Sequence, residues 1–513
     1  MFVLINDYAG GRSTFGPTMT PIAPKTLIAF NRFGCGPKPG DLAKISDPAA
    51  ALLAELAAPE AAKIDDATLD RIPTILQAVY ADQDRRKMLR ERGELVNLTR
   101  NAMPTPGVAA LIIPLVPLSA ADAMMTAPGA TMKTPEPAMD GGPPPQQRYF
   151  RAEVAARLAK AVAAPIGFVE RLVAFWSNHF AISAAKSNIG RAGAGAFERE
   201  AIRPYVTGRF ADMLRAVEQH PVMLNFLDNA QSIGPDSKAG RNRKAGLNEN
   251  LAREILELHT LGVGAGYTQG DVTQLARIIT GWTIVGREGR LGEPGAFAFN
   301  ANAHEPGPVT LLSRVYKEDG VKQGEAALAD IAGHPAVATH IARKFARHFV
   351  ADIPDPALVA RLAKVFRDSD GDLGALARAL VADEAAWSAT ATKMRNPWEL
   401  TVAAWRAFNR PTQDPGPVLN ALNLLGMPMW QPGGPNGFSD ESLTWASPEG
   451  MKMRLELAAQ FSRQTKDAPA PAEMIDDILG PAVSAPTREA VMRAESREQA
   501  FALLIMSPEF QRR

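Results

Sequence analysis

The sequence has little cysteine, almost no net charge and no long hydrophobic run. Cys35 is the single cysteine among 513 residues, which excludes an intrachain disulfide and a metal site built from several thiolates. Basic residues number 56 and acidic residues 55, so no whole-chain field would attract nucleic acid or an acidic membrane. No window approaches the ~18 apolar residues of a spanning helix, which predicts a soluble protein without a membrane span.

Familiar catalytic signatures are missing as well. The sequence contains no His-Glu-x-x-His zinc motif, no Gly-x-Ser-x-Gly nucleophile elbow and no phosphate-binding Walker loop. Residues 1–11 have neither the basic start nor the apolar stretch of a secretory signal peptide. We therefore expect a cytoplasmic protein. No cofactor can be identified from these patterns, which leave open a metal bound by other ligands.

Helical periodicity dominates the chain from residue 149 onward. Apolar residues recur every three to four positions through long segments such as 195–218, 246–261 and 269–284. Only 285–316, with its glycines and prolines, resembles turns with short β-segments. The predicted fold class is all-α, a multi-helix globular array with a short β-hairpin-like segment near 285–316.

A proline- and methionine-rich insert separates the helical segments. Residues 101–147 contain ten prolines, five methionines and four charged residues, a composition that forbids a regular helix. Its apolar middle, 108–118, is either packed along the domain surface or forms a flap or partner-binding strip. The predicted division is an N-terminal helical segment (1–100), the insert (101–147), a central helical domain (148–320) and a C-terminal helical domain (321–513).

Glu254 is the candidate acid or base. On a helix over 246–261, it falls inside the stripe formed by Leu247, Leu251 and Leu258. A carboxylate there must be paired, hydrogen-bonded or protonated. One interpretation is a buried ion pair with an arginine such as Arg203 or Arg253. The other is a carboxyl group of raised pKa that acts as acid or base, or a metal ligand.

His179 is the second catalytic candidate, and several polar side chains accompany it. It follows an aromatic helix, where a histidine is either packed in the core or catalytic. Amides orient substrates but also cap helices and tie loops. His348 shares its helix face with Val337 and Ile341, so we expect it to be packed. The residues predicted to bind substrate or partner are Asn178, Asn229, Gln231, Asn248, Asn250 and Trp282.

The polar motifs of the chain resemble a known bacterial family. The segments that carry the likeness are 29–34, 175–180, 227–232, 247–262, 267–271, 281–283, 304–308, 342–349 and 396–399. They are similar to the family catalogued as domain of unknown function 1800 (DUF1800), for which no reaction is established. Genes of this family often lie beside those of a second family, domain of unknown function 1501 (DUF1501), whose members resemble sulfatases and phosphatases. The resemblance implies a DUF1501 protein as partner. Because such partners often carry a twin-arginine export signal, it also implies export with the partner to the periplasm as an alternative location.

Two functions are compatible with these observations. The first is an accessory, partner-binding helical protein that acts with a DUF1501 protein, and we favour it because no familiar catalytic arrangement is present. The alternative is an enzyme of unfamiliar type, a hydrolase or lyase, with an acid/base or metal site around Glu254 and His179. Convergence of the candidate side chains on an open pocket would favour the enzyme, whereas internal satisfaction of each would favour the accessory protein.

Overall fold

A computed structural model describes residues 24–91, 142–241, 246–388, 390–465 and 468–513, and within them the chain is mainly helical. The α-helices of this part are α1 (Pro24–Ile28), α2 (Pro48–Ala57), α3 (Ile72–Glu91), α4 (Pro145–Ala163), α5 (Phe168–His179), α6 (Asn188–Phe197), α7 (Phe210–Glu218), α8 (Pro221–Phe226), α9 (Asn250–Glu254), α10 (Gln269–Ile278), α11 (Val321–Ala332), α12 (Pro335–Phe349), α13 (Pro356–Asp368), α14 (Leu373–Ala382), α15 (Pro397–Ala407), α16 (Gly416–Leu424), α17 (Ser442–Trp445), α18 (Pro448–Ser462), α19 (Pro471–Ile478), α20 (Ala485–Met492), α21 (Arg497–Met506) and α22 (Pro508–Gln511).

Two antiparallel hairpins provide the strands. They consist of β1 (Trp282–Ile284) with β2 (Phe297–Phe299) and of β3 (Val309–Leu311) with β4 (Arg314–Tyr316). In the first pair Trp282 lies opposite Phe299, and in the second Val309 lies opposite Tyr316. The prediction of an all-α protein with short β-segments near 285–316 is confirmed.

The helix predicted over 269–284 is too long at its C-terminal end. The structure ends α10 at Ile278 and starts β1 at Trp282. Gly281 has φ of +80°, and a Cβ there would lie 2.7 Å from the carbonyl oxygen of Asn300. Since only glycine tolerates this conformation and approach, the turn that aligns β1 with β2 replaces the last helical turn.

The helix predicted over 195–218 is also interrupted. After α6, the chain forms a π-helical turn (Glu198–Ile202) and a 3₁₀ turn (Arg203–Tyr205), and α7 begins only at Phe210. Pro204 explains the break, because it has no amide hydrogen and its ring clashes with the preceding helical turn. Two further π-helical turns occur in the described chain, at Ala29–Phe33 and Ile255–His259.

Most of the insert lies outside the described residues, including its apolar middle at 108–118. Its last residues, 145–147, form the first turn of α4, four positions before the predicted helix start at 149. Pro145 occupies the first helical turn, where the missing amide hydrogen costs nothing. The rule that proline forbids a helix therefore does not apply at a helix N-terminus.

Side-chain caps begin two of the helices, α2 and α10. The Asp47 side chain accepts a hydrogen bond from the amide of Ala50 at the start of α2. Thr268 and Asp271 form a reciprocal capping box at the start of α10. Local side chain–backbone bonds of this kind depend on residues three apart, which is why they can be recognised without tertiary information.

A continuous set of buried apolar residues joins the helices from Leu27 to Phe510. Within it α4 packs on α6, α12 on α13 and α18 on α21. The division of the chain at 148–320 and 321–513 remains a prediction. In the part of the chain that the structure describes, no helix is long and apolar enough to cross a membrane.

Candidate functional site

Glu254 is half-buried at the end of α9, where the helix changes from α to π geometry. Arg253, one of its expected partners, instead bridges Glu249 and Glu257 at 3.3 and 3.5 Å. Arg203, the other, binds two glutamates elsewhere. The expected ion pair with either arginine is therefore wrong. Burial raises the pKa of Glu254, and the charge of His259 opposes that increase.

His179 lies in a buried group of three histidines. Its Nε2 is 3.0 Å from the carbonyl oxygen of His259, and the rings of His259 and His340 lie 6.3 and 6.2 Å away. Its Nδ1 is buried and has no hydrogen-bond partner among the described residues. Burial keeps the pKa of His179 well below its usual value, so the ring is neutral. Because Nε2 faces a carbonyl oxygen, Nε2 carries the proton.

A fully buried acid–histidine pair adjoins His179. Nδ1 of His259 is 2.8 Å from Oε1 of Glu218, and both side chains are inaccessible to solvent. The second oxygen of Glu218 and Nε2 of His259 are unpartnered within the described chain. This pair could not be predicted from the sequence, because Glu218 is 41 residues from His259 and no motif connects them. The three histidines lie together, yet no group of three or more potential ligands in the described residues could hold a metal ion.

The amide of Asn178 fastens a loop. Its Nδ2 donates to the carbonyl oxygen of Phe438, and its Oδ1 accepts from the amide of Phe438, both at 2.8 Å. The loop approaches so closely that a Cβ on Gly437 would lie 2.4 Å from the carbonyl oxygen of Asn178. Asn178 therefore positions residues 426–440 over α5.

The other predicted binding residues are spread over several environments. Asn229 is buried and donates to the carbonyl oxygens of Ile279 and Trp282, each at 3.3 Å. Trp282 is wholly buried and its Nε1 has no partner in the described structure. The side chain of Asn248 accepts from the amide of Asn250 in the turn that precedes α9, whereas Asn250 and Gln231 are exposed. These side chains tie turns and strands together and do not line one common cavity with His179.

A small, mainly apolar cavity of about 60 Å³ lies beneath the loop that Asn178 holds. Trp398 and Trp430 form part of its wall, and the Arg157 guanidinium lies 4.6 and 5.4 Å from their ring centroids. Arg157 is buried and paired with Glu198 at 3.2 Å. The polar groups at this cavity are thus already engaged with one another.

His348 also lines the cavity and is packed, as predicted. Its Nδ1 donates to Asp440 at 2.7 Å, and its Nε2 accepts from Arg171 at 3.2 Å. Burial lowers the pKa of His348 in spite of the opposing charge of Asp440. With both ring nitrogens occupied, this histidine has no free site for proton transfer.

Behind His348 a buried ionic network connects Arg513 to the core. Glu399 lies 2.5 Å from Arg171 and 2.7 Å from Arg513, and Arg513 also donates to the carbonyl oxygen of His348 at 2.7 Å. Burial alone would raise the pKa of Glu399, but the two arginine charges outweigh it and hold the pKa at about 2. The carboxylate is therefore ionised at neutral pH.

The opposite face of α12 borders an open basic groove. We use this name for two adjoining clefts of about 690 and 480 Å³ that share Thr339, Arg343 and Arg347. The first cleft lies between residues 257–265 and α12, and the second continues to Ile353 and α13. His340, Lys344 and Arg367 also line the groove, and Glu257 contributes a carboxylate to the first cleft.

Two apolar side chains that line the groove are exposed to solvent. Val263 is 79% exposed in the first cleft and Ile353 is 90% exposed in the second. Burial lowers the pKa of His340 to about 4, so this ring is neutral at physiological pH. The lasting positive charge of the groove therefore comes from Arg343, Arg347 and Arg367.

Comparison with known proteins identifies the family of the chain. The family model described as "Protein of unknown function (DUF1800)" matches residues 28–512, and the chain belongs to this family. No curated protein and no solved structure shows significant similarity to it.

Proposed function

We propose that this DUF1800 protein is a non-catalytic accessory protein that binds a partner protein through the basic groove. The observation that carries the proposal is the lining of this groove beside α12, where three arginines and two exposed aliphatic side chains lie together. The candidate partner is a DUF1501 protein, as the family resemblance implies. The groove would receive a segment that combines carboxylates with an apolar side chain.

The composition of the groove supports a protein ligand. Arginine and exposed aliphatic residues are typical of interfaces in which apolar contacts are surrounded by polar ones. Arg343 and Arg367 form no hydrogen bond or ion pair within the described residues. Arg347 has only a 3.5 Å contact with Glu441, at an exposed position. These guanidinium groups can therefore bind carboxylates without first breaking strong internal bonds.

The internal hydrogen bonds of His348 and of three predicted binding residues support an accessory role as well. Asn178, Asn229 and Asn248 are occupied by turns and loops. His348 is held at both nitrogens. Side chains whose polar atoms are hydrogen-bonded in this way stabilise the fold and have few free atoms with which to bind a substrate.

An enzyme remains the second candidate because of three unpartnered buried atoms. They are Nδ1 of His179, Nε2 of His259 and Oε2 of Glu218. Buried polar atoms without partners are rare and often mark functional positions. His179 is only 2% exposed, however, so a substrate would reach it only after the surrounding helices open.

Binding to a DUF1501 protein encoded in the same genome tests the accessory proposal. Isothermal titration calorimetry would measure Kd for the full chain and for the double variant Arg343→Glu/Arg347→Glu. We expect the double variant to weaken binding at least tenfold, because it places like charges opposite a carboxylate-bearing partner. Ile353→Asp should weaken binding by a similar factor.

Arg493→Glu is the matched control, because this exposed arginine does not line the groove. It should leave Kd unchanged. Equal affinity of all variants would show that the partner binds elsewhere. Absence of binding by the unaltered chain would reject this DUF1501 protein as the partner.

A further inference from the structure

Lys344 differs from the other internal lysine of this region in having an unused amine. Nζ of Lys393 is bound to Asp352 at 2.8 Å and to the carbonyl oxygen of Asp440 at 2.6 Å. Lys344 is half-buried, lines the first cleft of the basic groove and forms no hydrogen bond or ion pair within the described residues. Lys344 is thus an unpaired lysine that borders the groove.

Positive groups flank Lys344 on its own helix. His340 and Arg347 are four residues before it and three after it, so they share its face of α12. Arg343 precedes it directly. Two carboxylates lie near it. Glu257 lines the same cleft and is paired with Arg253 at 3.5 Å. Asp440, on the loop that covers the cavity, is bound to His348 at 2.7 Å. His179, on α5, faces the same lysine from within the core and is neutral.

These surroundings affect the pKa of the Lys344 amine and also determine which ligand charge the site favours. Burial lowers the pKa of Lys344 to about 8, with Arg347 acting in the same direction and Asp440 against it. A substantial fraction of the amine is therefore neutral at pH 7 to 8, whereas an ordinary lysine, with a pKa of about 10.4, is almost fully protonated. The adjacent guanidinium groups favour a ligand that carries negative charge.

We propose that Lys344 is a nucleophilic amine that condenses with small anionic aldehydes or ketones in the basic groove. Arg343 and Arg347 would bind the anionic group and bring the carbonyl carbon to Nζ. This inference concerns a small-molecule site and does not depend on the partner proposed above, although both use the same groove.

The reaction is a reversible condensation. The neutral amine adds to the carbonyl carbon, forming a C–N bond and a carbinolamine. Loss of the carbonyl oxygen with two protons, as one water molecule, then leaves a C=N bond in place of C=O. No oxidant or reductant is needed, since the carbon keeps its oxidation state. A desolvated lysine beside other cations is the usual setting for this chemistry.

Pyridoxal 5′-phosphate, an anionic aldehyde used here only as a probe, tests the proposal on the full chain. Borohydride reduction at pH 7.5 would fix the imine, and peptide mapping would locate it. At substoichiometric probe we expect Lys344 to be labelled at least tenfold more than the exposed Lys25 or the buried, paired Lys393. The labelling rate should rise with pH up to about 8 and then level off.

Two variants and a control separate the parts of the site. Lys344→Arg keeps the positive charge and should abolish the preferential label, while Arg347→Gln should reduce it about fivefold and Arg493→Gln should not change it. Pyridoxal, which lacks the phosphate, should label Lys344 several-fold more slowly. Uniform labelling of surface lysines, or a rate at Lys344 that keeps rising to pH 10, would overturn the proposal. Selective labelling of Lys344 in an unaltered chain that does not bind the DUF1501 protein would reject the proposed function alone.

Discussion

Ionisable groups on the two sides of α12 differ in whether they have partners within the fold. On the inner side, His348 is bound at both ring nitrogens, and Glu399 behind it is held by two arginines. On the groove side, Lys344 and Arg343 have no partner in the described structure. One helix therefore separates ionisable groups that are paired within the fold from groups that are available to ligands. The comparison indicates that the presence of a bonding partner, more than the depth of burial, distinguishes structural side chains from functional candidates in this region.

The largest effect is expected from Glu399→Gln. The substitution leaves Arg171 and Arg513 buried without their carboxylate, which should reduce the free energy of unfolding by roughly 3–5 kcal/mol. Urea denaturation followed by circular dichroism would measure it. The control, Glu441→Gln, removes the exposed partner of Arg347 and should cost less than about 1 kcal/mol. Similar losses in the two variants would contradict the contrast between the two sides of α12.

The pH dependence of the stability of wild type and of Glu399→Gln provides a second test. Glu399 has a pKa of about 2 in the folded protein, below the value of about 4.3 expected when unfolded. A depressed pKa stabilises the fold at pH above the unfolded value, and this contribution disappears as pH falls from about 4 to 2. The stability difference between wild type and Glu399→Gln should therefore narrow over that range. A constant difference would mean that the carboxylate is not ionised in the fold.

The helical fold could be predicted from the sequence because its signals are local. Periodicity identified most helices, and Asp47 and Thr268 marked helix starts through bonds to residues three positions on. The π-helical turn at Ile255–His259 could not be predicted by a wheel that assumes 100° per residue, and it shifts Leu258 relative to the face that Glu254 occupies. Pairs such as Glu218 with His259, or Asp440 with His348, join distant segments, so only the tertiary structure shows them.

An intermediate loss of stability is expected from Asn178→Ala, which removes the contact between α5 and the loop at residues 426–440. The variant loses both hydrogen bonds to Phe438 and should cost about 1–3 kcal/mol, because two backbone groups of the loop lose their partner. Limited proteolysis should then cut within 426–440 faster than in wild type. Asn423→Ala, at an exposed position of α16, is the control and should leave cleavage unchanged. Equal protection in both variants would show that Asn178 does not hold the loop.

The smallest effect is expected from Glu254→Gln, which tests an unpaired carboxyl group. Burial raises the pKa of Glu254 above its unfolded value, so its ionisation opposes folding at pH above about 4.3. Glutamine removes this penalty, and since the side chain is half-exposed the gain at pH 7 should be below about 1 kcal/mol. Thermal and urea denaturation would measure it.

Glu249→Gln is the matched comparison for Glu254→Gln on the same helical segment, because it removes a carboxylate that is paired with Arg253. It should lower stability by a few tenths of a kcal/mol, opposite in sign to Glu254→Gln. A loss of 3 kcal/mol or more in Glu254→Gln would show that the carboxylate has a strong partner after all. Metal analysis of the same preparations addresses the enzyme alternative. Bound metal in the wild type that is lost in Glu254→Gln at unchanged stability would favour a functional carboxylate over the accessory role.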